Sequence, residues 1–152
     1  MENLVFSNQT TGSPNLVANP GMVKTNIKVL IVDDRAAVRE SLRTILSLED
    51  DFMVVGEAAS GREAVKVAQS LQPDLVLMDL EMPDAFGELY DGVVACENMK
   101  LNRICRKVVI LTVHADQASR QRALMAGCDL FLEKGLNSFE LLQKLRQVGT
   151  AA

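Results

Sequence analysis

Near the middle of the chain lies the stretch Pro73-Asp74-Leu75-Val76-Leu77-Met78-Asp79. Its four consecutive apolar residues are typical of a strand that is buried on both faces of a sheet. Because an ionised carboxylate is costly inside a core, we expect Asp79 where the strand leaves the sheet, in a wet or metal-lined crevice. The stretch therefore predicts both a central strand and a candidate functional residue.

Further strands are predicted on both sides of this stretch. An apolar run from Ile27 to Val32 ends at Asp33-Asp34, and another from Leu130 to Leu132 ends at Glu133-Lys134. Apolar residues at helical spacing separate the strands. This alternation predicts one α/β domain with a flavodoxin-like, doubly wound parallel sheet of five strands in the order 2-1-3-4-5, covered by helices on both faces. The other predicted elements are strands at 53–58 and 108–112 and helices at 38–48, 60–71, 92–100, 117–126 and 138–148.

The predicted domain occupies residues 27–148. Residues 1–26 are rich in Asn, Thr, Ser, Gly and Pro and are predicted to form a flexible arm. Ser138 is expected to cap the last helix, which would bury Phe139, Leu142, Leu145 and Val148. Residues 149–152 are expected to fray.

Composition limits the class of protein. The 152 residues have a net charge of −4 and 48% hydrophobic content, which suit one soluble globular domain. The acidic balance argues against broad binding to nucleic acid or to anionic membranes. No stretch has the pattern of a signal peptide or a membrane span, so we expect a cytoplasmic protein. The three cysteines lack CxxC spacing and are interpreted as reduced packing residues: Cys96, Cys105 and Cys128.

The polar residues at the predicted strand ends form one group. Asp33 and Asp34 end the first strand, Asp79 the third, Thr112 the fourth and Lys134 the fifth. Since the carboxyl ends of parallel strands share an edge, these side chains should face a single crevice. Each has a simpler explanation alone: an acid at a strand end often caps a helix, a Thr favours strands, and a Lys is usually solvated.

Taken together, the group indicates a metal ion and phosphoryl chemistry. Three clustered carboxylates repel one another unless a cation lies among them, and oxygen ligands favour a hard ion such as Mg²⁺. Lys134 would keep Asp79 ionised and, with the metal, would attract a dianionic phosphoryl group. Thr112 could donate a hydrogen bond to that group. The expected chemistry is phosphoryl transfer onto the Asp79 carboxylate.

The motifs that contain these residues resemble the receiver domain of two-component response regulators. They read Val-Leu-Ile-Val-Asp-Asp, Leu-Met-Asp-Leu-Glu-Met-Pro, Val-Ile-Leu-Thr and Phe-Leu-Glu-Lys, and the resemblance covers 27–148. It implies that Asp79 is the phosphoacceptor, that Lys134 pairs with the phosphoryl group and that Thr112 swings toward it. Phe131 would occupy the aromatic switch position. The implied Mg²⁺ ligands are Asp33, Asp34, Asp79 and the backbone carbonyl of Glu81.

The same resemblance implies a signalling switch rather than a turnover enzyme, although the domain would catalyse its own phosphorylation and dephosphorylation. The donor would be a sensor histidine kinase or a phosphotransfer protein. A downstream protein would bind the face formed by the fourth helix, the fifth strand and the fifth helix, through which a homodimer could also form. Direct nucleic-acid binding and membrane contact are not expected of this chain, which is either a stand-alone receiver or severed from an output domain.

Other functions are kept open. A receiver-like scaffold that binds partners without phosphorylation would have the same fold. A hydrolase of the aspartyl-phosphate phosphatase type would need a second Asp two residues after the nucleophile, where this chain has Glu81.

The chain also departs from the family pattern. Gly135 follows the lysine in place of the usual proline, and the segment after Pro83 is longer than usual. Val113 is bulkier than the small residue common beside the threonine, so we hypothesise that it slows dephosphorylation. Glu81 and His114, the one histidine of the sequence, could govern water access to the acyl phosphate, and His114 is expected to face solvent or a partner.

Overall fold

The computed structural model describes residues 26–82 and 90–151. Over these ranges, five parallel strands form one sheet in the order β2-β1-β3-β4-β5, as predicted. The predicted arm, apart from Asn26, and the long segment that follows Met82 lie outside the described residues. The strands are β1 (Ile27–Val32), β2 (Phe52–Ala58), β3 (Leu75–Met78), β4 (Lys107–Thr112) and β5 (Leu130–Glu133). The helices are α1 (Ala36–Ser47), α2 (Gly61–Leu71), α3 (Gly92–Leu101), α4 (Gln117–Met125) and α5 (Ser138–Thr150).

Strand β3 is buried on both faces, as its apolar run predicted. Successive side chains of a strand point to opposite faces of the sheet. Leu75 and Leu77 accordingly pack in the apolar layer under α1 and α5, and Val76 and Met78 pack in the layer under α2, α3 and α4.

The three cysteines are free and buried, as predicted, and burial raises the pKa of the Cys96 thiol to about 12. None of the described helices is long and apolar enough to span a bilayer.

Helix α5 differs from the prediction at both ends. Its N-cap is Asn137, whose side chain accepts the Glu140 N–H at 2.8 Å, so the prediction that Ser138 caps the helix is wrong. The helix continues to Thr150, two residues beyond its predicted end. Phe139 is 68% exposed, which contradicts its predicted burial, and the buried positions are Leu141, Leu142 and Leu145. A strict three-residue spacing drifts about 60° around a helix at each step, which carries Phe139 off the buried stripe.

Candidate functional site

Backbone pairing places two of the predicted acids at the carboxyl edge of the sheet. The Asp33 N–H donates to the Ala58 carbonyl at 3.1 Å, and the Asp79 N–H donates to the Val32 carbonyl at 2.9 Å. These bonds continue the ladders of β1 beyond the last strand residues. Both acids are therefore fixed by the sheet itself rather than by flexible loops.

The carboxylates of Asp33, Asp34 and Asp79 form a cluster. One ligand atom from each lies within 4.8 Å of the other two. Asp33 is 1% exposed and Asp79 is 8% exposed, whereas Asp34 faces solvent. The N-cap of α1 is Arg35, without a side-chain cap, and the N-cap of α3 is Asp91. The strand-end acids are therefore not explained as helix caps.

Lys134 lies between the two buried carboxylates. Its ammonium nitrogen is 2.9 Å from Asp33 Oδ2 and 3.7 Å from Asp79 Oδ2. The Lys134 N–H donates to the Thr112 carbonyl at 2.8 Å, which anchors the start of the loop after β5 to β4. The predicted convergence of Asp33, Asp34, Asp79 and Lys134 on one edge is thus present in the structure.

The environment of Asp79 acts on its carboxyl group in both directions. Burial is the largest effect and raises its pKa, and the nearby Asp33 raises it further. Lys134, the Leu80 N–H at 2.8 Å and a hydrogen bond with the Thr112 side chain lower the pKa without cancelling the effect of burial. Asp79 is therefore a carboxylate whose ionised form would gain from an additional cation.

The donor set fits a hard divalent cation. Three carboxylates supply oxygen ligands, and the exposure of Asp34 leaves room for the waters that Mg²⁺ retains. Among the described residues, this is the one group of three or more acidic, cysteine or histidine side chains close enough together to bind a metal. The predicted carbonyl ligand, Glu81, follows Asp79 by two residues, and its role stays a prediction.

His114, in the loop after β4, contacts both Thr112 and Glu81 of the loop after β3. Thr112 is fully buried, and its hydroxyl oxygen accepts the His114 N–H at 3.1 Å. The His114 ring nitrogen Nε2 lies 3.2 Å from Glu81 Oε1, and both side chains are about half exposed. The two positions predicted to control water access therefore contact each other beside the carboxylate cluster.

Phe131, the predicted switch aromatic, is buried in β5. The Arg120 guanidinium of α4 lies 4.7 Å from the centre of its ring, a cation–π contact that covers the buried aromatic. A movement of Phe131 would therefore act directly on α4 through Arg120.

Gly135 has a backbone φ of +115°, which L-residues rarely adopt. Proline is held near −65° and could not take this conformation. The loop after Lys134 therefore has a backbone conformation here that a proline at position 135 could not adopt.

Gly92 is a positioning residue that the sequence analysis did not identify. Its N–H donates to the Leu80 carbonyl at 2.8 Å, so the first residue of α3 packs against the backbone that carries Asp79. A Cβ atom at this position would collide with the Asp79 carbonyl oxygen. In the sequence, Asp91-Gly92 has only the appearance of a turn, because the close approach depends on tertiary packing.

Comparison with known proteins agrees with this geometry. The model of the response regulator receiver domain family matches residues 29–146. The response regulator protein VraR of Staphylococcus saprophyticus is 40% identical over 121 residues, which cover 80% of this chain and 56% of that protein. The chain thus spans just over half the length of this relative.

Two solved structures show the same similarity. The signal receiver domain of NarL from Mycobacterium tuberculosis has a TM-score of 0.76 and 26% identity, covering 84% of this chain and 99% of that one. The response regulator domain of Thermotoga maritima CheB has a TM-score of 0.73 and 32% identity, covering 84% and 98%. From the family match, the strand order and the carboxylate cluster together, this chain belongs to the response regulator receiver domains.

Proposed function

We propose that this receiver domain accepts a phosphoryl group on Asp79 from a phosphohistidine donor, with Mg²⁺ held by Asp33, Asp34, Asp79 and the Glu81 carbonyl. The observation that carries the proposal is the position of Lys134, within 3.7 Å of Asp79 Oδ2 and 2.9 Å of Asp33 Oδ2. A nucleophile, a set of metal ligands and a cation for phosphoryl oxygens then share one crevice.

In the transfer, an Asp79 carboxylate oxygen forms a bond to phosphorus while the bond from phosphorus to the donor histidine nitrogen breaks. The product is an acyl phosphate. The Leu80 N–H fixes the plane of the carboxylate through Oδ1. Bound Mg²⁺ supplies positive charge that neutralises the phosphoryl oxygens, and Lys134 supplies a second positive charge from the side of β5.

The switch would begin at Thr112. Its hydroxyl accepts the His114 N–H, so a shift of Thr112 to donate to a phosphoryl oxygen would displace His114 as well. The loop after β4 would then move, and Phe131 and α4 would move with it. Leu124 and Met125 expose apolar side chains on α4, which suits docking of a downstream protein or of a second copy to the face formed by α4, β5 and α5.

A mainly apolar groove of about 310 Å³ beside the site suits the phosphoryl donor. Val38, Leu42 and Ile45 of α1 line it together with Leu136 and Leu141, and Lys134 lies at its border. We propose that a helical segment of a sensor histidine kinase or phosphotransfer protein docks there, in the cytoplasm. Direct nucleic-acid binding is not part of this proposal.

Incubation with acetyl phosphate and Mg²⁺, followed by intact mass measurement, tests the proposal. The wild type should gain one phosphoryl group and Asp79→Asn none. Asp74→Asn is a matched control, because it makes the same change just before β3, at the opposite edge of the sheet, and it should still be phosphorylated. No adduct on the wild type, either with acetyl phosphate or with beryllofluoride, would favour the scaffold. Steady phosphate release without an adduct would favour the hydrolase.

A further inference from the structure

We infer that Arg39 is a positioning residue that orients the Asp33-Asp34 peptide for Mg²⁺, an inference that rests on the proposed function. One terminal nitrogen of its guanidinium, Nη1, donates to the Asp33 carbonyl oxygen at 2.6 Å. Its Nε donates to Glu57 Oε1 of β2 at 3.2 Å. Arg39 therefore joins the acid pair to a neighbouring strand.

The Arg39 contact completes the hydrogen bonding of Asp33. The Asp33 N–H is held by the Ala58 carbonyl, Oδ1 accepts the Arg35 N–H at 2.9 Å, and Oδ2 accepts the Lys134 ammonium. The carbonyl is the remaining polar group of this nearly fully buried residue, and Arg39 satisfies it. A buried carbonyl without a hydrogen-bond partner is costly, so the contact is strongly favoured.

The orientation of this peptide determines where Asp34 points. The Asp33 carbonyl belongs to the peptide bond that links the two acids, and a planar peptide moves as a unit. Asp34 is exposed, so the backbone before it largely sets the direction of its side chain. Within the acid pair, Arg39 bonds the Asp33 carbonyl rather than a carboxylate, so it does not occupy a carboxylate oxygen that a metal would need.

Glu57 places the guanidinium before any metal binds. It pairs with Arg39 through one oxygen and with Arg43 through the other. Arg39 and Glu57 are mostly shielded from solvent, whereas Arg43 is more exposed. The planar fork of arginine can serve Glu57 and the carbonyl together. A basic side chain close to a helix N-terminus is unfavourable for the helix dipole, which fits a role for Arg39 other than helix stability.

Mg²⁺ affinity, measured by isothermal titration calorimetry, tests this role against a matched control. Arg39→Ala should weaken Mg²⁺ binding about tenfold, the lower end of the range for residues that support metal ligands. Arg43→Ala removes the same charge and a contact to the same Glu57 without touching Asp33, and it should bind Mg²⁺ like the wild type. Glu57→Gln keeps Arg39 but weakens its ion pair, so its Mg²⁺ affinity should lie between those of Arg39→Ala and Arg43→Ala. It also provides a second variant if Arg39→Ala folds poorly.

Phosphorylation adds a readout that a loss of stability would not produce. In Arg39→Ala, the Mg²⁺ concentration needed for half-maximal adduct with acetyl phosphate should rise, while the maximal Asp79 adduct at saturating Mg²⁺ should be retained. Equal Mg²⁺ affinities of Arg39→Ala and Arg43→Ala would overturn the role of Arg39, yet leave an Asp79 adduct on the wild type as support for the proposed function. No Mg²⁺ binding and no adduct on the wild type would overturn both.

Discussion

The ionised carboxylate of Asp79 destabilises the folded protein, and the groups around it do not fully offset this effect. Burial and Asp33 raise its pKa more than Lys134, Leu80 and Thr112 lower it. The folded protein therefore holds the Asp79 proton more tightly than the unfolded chain does. As a result, the free energy of unfolding falls as pH rises from the ordinary Asp value to the raised one, and it stays low above that interval.

Asp79→Asn should remove this cost. In buffer with a chelator at neutral pH, we expect the variant to have a higher Tm than the wild type, because the neutral amide needs no cation. The gain should disappear as pH falls below the ordinary Asp value of 3.8, where the wild-type carboxyl is protonated. Thermal unfolding across pH, with Asp74→Asn as the control that shows no gain, measures this. A Tm difference that does not change with pH would contradict the prediction.

Val113 is expected to affect the lifetime of the proposed acyl phosphate. Its side chain is 56% exposed and adjoins Thr112 at the end of β4. Val113→Ala should shorten the half-life of the Asp79 adduct, because a smaller side chain opens the approach for water. Decay of the adduct after donor removal measures this, with Leu124→Ala as an apolar truncation on α4 for comparison. Equal half-lives for Val113→Ala and the wild type would discard the idea.

At the scale of elements, the junction between β3 and α3 is tightly packed around Gly92. Helix α3 begins at Gly92, against the backbone of Asp79 and Leu80. Its N-cap, Asp91, accepts two amides of the first turn and pairs with Arg122 of α4 at 3.1 Å. The backbone of Asp79, the proposed phosphoacceptor, is thus linked through the start of α3 to the proposed switching face.

Gly92→Ala should destabilise the protein by about 1–3 kcal/mol, the usual cost of overpacking, because a backbone oxygen cannot move aside cheaply. Elsewhere in a helix the same change often stabilises. Gly149→Ala in α5 is the matched control, since the nearest atoms to its Cβ would be side-chain atoms of Ile27 rather than backbone. Urea unfolding gives the cost, and Mg²⁺ titration shows whether Asp79 is displaced. Wild-type values for Gly92→Ala in both measurements would refute the argument.

The elements also show how far the sequence could predict the site. Asp33, Asp79 and Lys134 were identified because each follows a short apolar run, and a parallel sheet brings all such ends to one edge. Gly92 and Arg39 were not identified, because their contacts depend on how a helix is placed over the sheet. Local periodicity does not determine that placement to the accuracy of one contact.

Over the whole molecule, the two edges of the sheet have different roles. The carboxyl edge concentrates negative charge in Asp33, Asp34 and Asp79, which suits a cation site but opposes stability. At the amino edge, Arg146 of α5 bonds Asp51 at 2.6 and 3.1 Å and Glu49 at 2.6 Å. These residues lie in the connection between α1 and β2, so Arg146 joins the last helix to an early part of the chain.

Arg146→Ala should therefore lower stability without changing the site. We expect a loss of about 1 kcal/mol, at the upper end for partly exposed ion pairs because the contact to Asp51 is bidentate, and hence a Tm lower by about 2–4 °C. The loss should shrink at high salt, which screens the pairs. Lys144→Ala removes the same charge from an exposed position of α5 and should have little effect. Mg²⁺ affinity and the Asp79 adduct should match the wild type, because the contacts lie at the opposite edge of the sheet from Asp79. A change in Mg²⁺ affinity would show that the two edges are coupled through α5 and would contradict this division of roles.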